Sequence, residues 1–270
     1  MRRCEIHLVL ICAATCGVLA LPVVGDEQQP PTKQQSLKGV PDWLAGYQFK
    51  RKQFTFVRVQ YSSFTDRQKW GKWRIDYPDA DVNLSARLKQ LTSLEVDEKG
   101  KVLKLTDPRL AEHPFIYLAE PGHMLLSEKE VIALRKYLLG GGFLMVDDFW
   151  GEDEWQQFFI QIKRVFPQRK VRELSLKHKI FHCVYDLNEK PQVPSIGRAL
   201  SGRKFERSDA QEVHYRGIFD DDRLLVVICH NTDLADGWER SDVDEFYYRE
   251  YCEKKAFPMG INIVFYALTQ

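Results

Sequence analysis

Two stretches of this chain carry side chains able to do chemistry. The first is Gly140 to Gly151, GGGFLMVDDFWG, in which three glycines, a short apolar segment and the pair Asp147-Asp148 follow one another. The second is HNTDLADGWE, where His230, Asn231 and Asp233 come directly after the most apolar segment of the sequence, with Asp236, Trp238 and Glu239 just beyond. Two carboxylates in contact drive one pKa upward, and such a group can serve as nucleophile, general base or cation ligand. No serine or cysteine lies in the turn from Asp147 to Gly151. His230 therefore has no obvious nucleophile to activate, and acyl transfer through a thiol is not expected.

The elements around these stretches follow from periodicity. Gln53 to Tyr61, QFTFVRVQY, reads as a strand. Ser62 to Ala80 reads as a long loop with Trp70, Trp73 and Tyr77 among basic residues. Those rings either cap the edge of the core or offer a stacking face to a sugar or peptide. Asp81 is the expected cap of a helix over Val82 to Ser93, and Leu94 to Leu105, interrupted at Glu98-Lys99-Gly100, reads as a hairpin. Phe115 to Ala119 is the next strand, ending at Glu120. Ser127 with Glu130 three positions on forms a capping box for a helix that the triple glycine stops. Phe143 to Asp147 is then a strand, Gly151 to Pro167 an amphipathic helix, and Val171 to Leu174 and Ile180 to Tyr185 further strands. Ala210 to Phe219 and Arg223 to Cys229 form a hairpin around Asp220-Asp221-Asp222. Helical segments at Phe246 to Lys255 and Pro258 to Thr269 close the chain.

Strand and helix alternate as in a mostly parallel α/β sheet with helices on both faces and hairpin additions. In such sheets ligands bind at the carboxyl ends of the strands. If the Arg223 strand lies parallel to the Phe143 strand, Asp147 and Asp148 share a rim with His230 and Asp233. The glycines do not make a phosphate loop, because they follow a helix and enter a strand. The helix after that strand opens Gly151-Glu152-Asp153-Glu154, which repels anions. His178 and His182, in a strand-like context, are too far apart for a metal pair.

Balanced composition excludes some partners. The 270 residues carry a formal charge of +1, and removing Arg2, Arg3 and Glu5 with the first 25 residues takes 39 basic and 38 acidic residues to 37 of each. A neutral chain has no long-range attraction for nucleic acid. Arg2-Arg3, the apolar run Ile6 to Val24 and the small residues before Asp26 read as a secretory signal, or as a membrane anchor if it is not cleaved. Residues 26–47 form a polar linker and docking segment, and 48–270 a single domain. Cys183, Cys229 and Cys252 are the cysteines left after the signal, an odd number without metal-ligand spacing.

The segments WRIDYPDADVNLSARLKQLT, GGGFLMVDDF and HNTDLADGWE resemble the uncharacterised bacterial family known as domain of unknown function 4159. Helix, triple glycine, strand and site in that order look like the flavodoxin-like, class I glutamine amidotransferase-like fold. That resemblance implies a cysteine where this chain has Asp147 and Asp148, so the amidotransferase nucleophile is absent. The expectation is an extracytoplasmic, non-catalytic module of the cell envelope that holds a glycan, peptide or partner protein. The alternative is a hydrolase using Asp147, Asp148 and His230, with or without a divalent cation. The candidate ligand-binding residues are Asp147, Asp148, His230, Asn231, Asp233, Asp76, Trp73, Tyr61 and Glu120; no cofactor or metal is assigned.

Overall fold

The computed structural model describes residues 53–63 and 71–270. The signal, the linker and Trp70 lie outside the described residues. No helix among those described is long and apolar enough to cross a membrane.

A seven-stranded sheet in the order β3-β1-β4-β6-β9-β8-β7 forms the centre. In chain order, β1 (Phe54–Gln60) is followed by the short β2 (Ser62–Ser63), α1 (Asp79–Leu91), β3 (Val96–Lys104), β4 (Phe115–Ala119) and β5 (Met124–Leu125). Next come α2 (Glu128–Leu139), β6 (Phe143–Asp147), α3 (Gly151–Val165), β7 (Val171–Glu173) and α4 (Ile196–Leu200). β8 (His214–Asp220), β9 (Arg223–His230), α5 (Leu234–Glu239), α6 (Glu245–Tyr247) and α7 (Phe257–Thr269) complete the domain, with a wider, π-type helix over Tyr248–Ala256 joining α6 to α7. β3, β1, β4, β6 and β9 run parallel, and β8 is antiparallel to both β9 and β7. The mixed α/β class is as expected, and β9 meets the condition of running parallel to β6.

Burial divides the side chains into two layers. Phe54, Phe56, Tyr117, Phe143, Met145 and Val227 face a cluster shared with α1, α5 and α7. Val57, Val59, Leu144, Val146 and Ile228 face the opposite cluster with α2 and α3. Strand alternation produces this division, since successive side chains leave opposite faces. The capping box on α2 is present, with the Ser127 hydroxyl accepting from Glu130 N and the Glu130 carboxylate accepting from Ser127 N.

Three expectations are corrected. Leu94 to Leu105 is not a hairpin: β3 is one strand parallel to β1, and the extra residues Glu98 to Gly100 form a bulge between the pairs Thr55–Asp97 and Val57–Lys101. Gly100 is in the left-handed region at φ 62°, and a Cβ there would meet the Phe56 carbonyl at 3.0 Å, so the glycine serves the bulge. Ile180 to Tyr185 is not a strand. Lys179–Phe181 is a 3-10 turn in which the His178 ring accepts from Ile180 N, and this local bond displaces sheet pairing. Finally, α1 starts at Asp79, so Asp81 lies inside the helix and caps nothing.

Asp81 has a different task. Arg58 occupies an inward position on β1 with no exposed surface, and its Nε lies 3.0 Å from each Asp81 carboxylate oxygen. Its Nη1 donates to the carbonyls of Trp73 and Ile75, and its guanidinium stacks 4.9 Å from the Tyr117 ring. Removing one partner of such a buried pair strands the other charge. Asp81→Ala is expected to lower unfolding free energy in urea by about 3–5 kcal/mol, and Arg58→Met with Asp81→Leu to recover more than half of it. A loss below about 1 kcal/mol for Asp81→Ala would show that the pair is not structural.

Candidate functional site

The carboxyl ends of β6 and β9 are laced together. Asp148 N donates to Thr232 O and Asn231 N donates to Phe149 O, so the two exit loops cross as a single antiparallel bridge. Asp148 (φ 60°) and Asn231 (φ 61°) are both left-handed, as are Asp76 (φ 59°) and Glu120 (φ 43°). Asp and Asn reach this region at lower cost than most residues, which is why they stand at these turns. Four left-handed residues on one rim turn their side chains out of the regular strand alternation.

The result is a carboxylate cluster. One oxygen each of Asp76, Asp148 and Asp233 lie within 4.8 Å of one another. Asp76 is brought in by the Arg58 bonds to the carbonyls of Trp73 and Ile75 immediately before it. Asp233 caps α5, its Oδ1 accepting from Asp236 N at 2.8 Å. All three residues are buried, with 6 to 8% of their surface exposed. Burial pushes each carboxyl well above its usual range, and neighbouring acids push further: Asp236 and Glu239 on Asp76, Asp76 and Glu120 on Asp148, and Asp148 and Asp76 on Asp233. Asp76 Oδ2 is buried without a hydrogen-bond partner among the described residues.

Asp147 lies one residue deeper along β6 and is fully buried. Its Oδ2 accepts from Ala235 N at 3.1 Å, and the Tyr117 hydroxyl, buried beside the carboxyl, favours its charged form. Burial, opposed by backbone donors from Ala235 and Asp148, pushes the Asp147 carboxyl up to about 8. Cys229, on the same face of β9, has its thiol pushed up by burial and then by Asp147, so it is no nucleophile.

The other sequence candidates are dispersed. His230 is on the expected rim but points to the opposite face, because β9 alternates from Cys229 on the α1 side to His230 on the α3 side. Its ring sits 4.7 Å from Phe149 and 5.3 Å from Trp155; Nε2 bonds Gly151 O and Nδ1 bonds Arg216, which fixes the neutral tautomer. Asn231 is structural in its contacts: Oδ1 accepts from Gly151 N and Nδ2 donates to Glu212 O. Tyr61 and Trp73 line a separate cleft of about 560 Å³ with Gln60, Lys104 and Glu130. The Tyr61 hydroxyl lies 2.9 and 2.8 Å from the carbonyls of Ala119 and Glu120. Trp73 packs partly against the core, in contact with Tyr77 and beneath the Arg74 guanidinium. Glu120 is salt-bridged to Lys72 at 2.8 Å, on the border of the acidic cluster.

Asp236 and Glu239, just beyond His230 in the sequence, also come to the rim. Asp76, Asp236 and Glu239 form a second group of carboxylates with ligand atoms within 4.8 Å. The signal was available: Asp233, Asp236 and Glu239 recur every three residues and line one side of a short helix.

His230 generates a pH prediction. Burial, assisted by Arg216, pushes its imidazole down to about 4 against the opposing bond to Gly151. Between that value and the unfolded pKa of about 6.5, the folded chain binds fewer protons than the unfolded one. The stability this contributes is complete above about pH 6.5 and lost as pH falls through 4. From pH 7 to 4.5 the wild type is expected to lose about 2–3 kcal/mol more than His230→Gln in urea unfolding. Equal losses would show that His230 is as easily protonated folded as unfolded.

No functionally curated protein matches the sequence. A family model described as "Domain of unknown function (DUF4159)" matches residues 55–268, which takes in β1, the acidic cluster and nearly all of α7. With that match covering most of its length, the chain belongs to the DUF4159 family.

Proposed function

We propose that this domain binds an anionic ligand through a divalent cation held by Asp76, Asp148 and Asp233. The observation that carries the reading is Asp76 Oδ2, a buried carboxylate oxygen without a hydrogen-bond partner among the described residues, on a side chain that brings an oxygen within 4.8 Å of two further acids. Three like charges in one buried place are unfavourable unless protonated or neutralised, and a cation does the second. An all-oxygen donor set suits Mg²⁺, Ca²⁺ or Mn²⁺ rather than thiolate-seeking metals. Lys72 on Glu120 and Arg207 on Glu154 border the cluster and favour an anion arriving at the cation.

The setting is part of the same proposal. The apolar leader supports an extracytoplasmic domain, and a glycan, peptide or partner protein bearing carboxylate or phosphate groups is its ligand. An amidotransferase-like origin is supported by the parallel strand order and by the acids that stand where such enzymes have a cysteine. With Cys229 buried and no hydroxyl or thiol in the turn after β6, the rim is better suited to binding than to acyl transfer.

Millimolar Mg²⁺, Ca²⁺ or Mn²⁺ is expected to raise the melting temperature of the full chain. At 100 times Kd the gain is about 2.7 kcal/mol, or about 5–10 °C for a domain of this size. Asp148→Asn keeps a residue tolerant of the left-handed turn; it is expected to lose the shift and, without cation, to melt no lower than wild type. A wild type indifferent to all three ions, or a variant that simply melts earlier, would sink the reading.

A further inference from the structure

The cation reading above is the basis for one step more. Asp76 belongs to both carboxylate groups, with Asp148 and Asp233 in the first and with Asp236 and Glu239 in the second. The second group keeps oxygens to offer. Asp236 commits Oδ2 to the Tyr247 hydroxyl at 2.7 Å and to Ile196 N at 2.8 Å, which holds the side chain in place; Oδ1 has Arg240 Nε only at 4.0 Å. Glu239 Oε2 lies 2.7 Å from Arg240 Nε but out of line, so the contact is an ion pair without a hydrogen bond.

When ionised, Asp76, Asp148, Asp233, Asp236 and Glu239 carry five negative charges, and among the described residues Arg240 is ion-paired to Asp236 and Glu239. Arg58 is committed to Asp81. With Arg240 offsetting one of the five, the two groups can take more positive charge than one divalent ion supplies.

We infer that Asp76 bridges a pair of divalent cations, one completed by Asp148 and Asp233 and the other by Asp236 and Glu239. Paired ions of this kind clamp an oxyanion, one oxygen on each metal. The ligand class is therefore a phosphate or carboxylate group, and the bridging residue is the one Arg58 positions through the Trp73 and Ile75 carbonyls.

The test is Mn²⁺ binding to the full chain, by equilibrium dialysis with metal analysis and by electron paramagnetic resonance. Wild type is expected to hold two ions per chain with the exchange-coupled spectrum of a bridged pair. Glu239→Gln, at a partly exposed position, is expected to hold one with an uncoupled spectrum; Asp236→Asn serves as a second variant with the same expectation. One ion in wild type, two uncoupled ions, or two coupled ions retained in both variants overturns the bridged pair and leaves the single-cation reading standing. No bound ion overturns both. Inorganic phosphate added to the loaded protein is expected to alter the coupled spectrum, and an unchanged spectrum removes the oxyanion assignment.

Discussion

The guanidinium of Arg58 is the interaction on which the rim depends. A charged residue in the middle of β1 would be expected to disrupt a sheet face lined by Phe54, Phe56 and Tyr117. Here it organises that face. Asp81 neutralises it from α1, the Tyr117 ring stacks against it, and its remaining donors hold the backbone of the segment that arrives before Asp76. One side chain thus fixes a helix to the sheet and an otherwise irregular loop to both. Hydrogen bonds to a charge are stronger than neutral ones, which suits Arg58 to holding carbonyls in place where no strand pairing is present to do so.

Against that anchor the rest of the rim is built in tension. Asp76, Glu120, Asp148 and Asn231 all take backbone conformations that cost energy, and several carboxylates sit together out of water. Neither feature is needed to close the sheet, whose apolar layers are complete without them. Strain and like charge gathered in one place are the pattern expected where stability has been given up for a ligand. The contrast with His230 is instructive. It is equally buried, yet both ring nitrogens have partners and its environment is aromatic, so it supports the α3 side without joining the acids.

Much of this was legible in the residues. The helix before the triple glycine, the apolar strand after it and the β8–β9 hairpin follow from local signals that nothing distant overrides. Local signals also explain the failures. Glu98-Lys99-Gly100 has the composition of a turn, and only the neighbouring β1 decides that the chain continues as a bulged parallel strand. The KHKIFHCVY segment has strand-like apolarity, but a side chain to backbone bond at His178 captures it first. For the site, sequence placed Asp148 and Asp233 on a common rim, because that needs only strand direction. It did not separate His230 from them, because that depends on which face each strand presents, and facing is set by register between strands eighty residues apart. No local signal draws Asp76 to the rim; the Arg58 bonds to the Trp73 and Ile75 carbonyls do.

The widened helical stretch at Tyr248–Ala256 bears on how the centre comes into being. Its last carbonyl, at Ala256, is bound by the indole of Trp238 at 2.8 Å, and Gly237 lets α5 come so near that a Cβ there would sit 2.4 Å from the Ala256 methyl. The Tyr247 hydroxyl just before this stretch fixes Asp236. The orientation of α5 is therefore dictated by residues made after it. During synthesis β1 through β9 are all outside the ribosome before the segment that holds Asp236 has emerged. Asp236 is thus fixed after all the sheet strands have been made, and a nascent chain has those strands before its carboxylate cluster is complete.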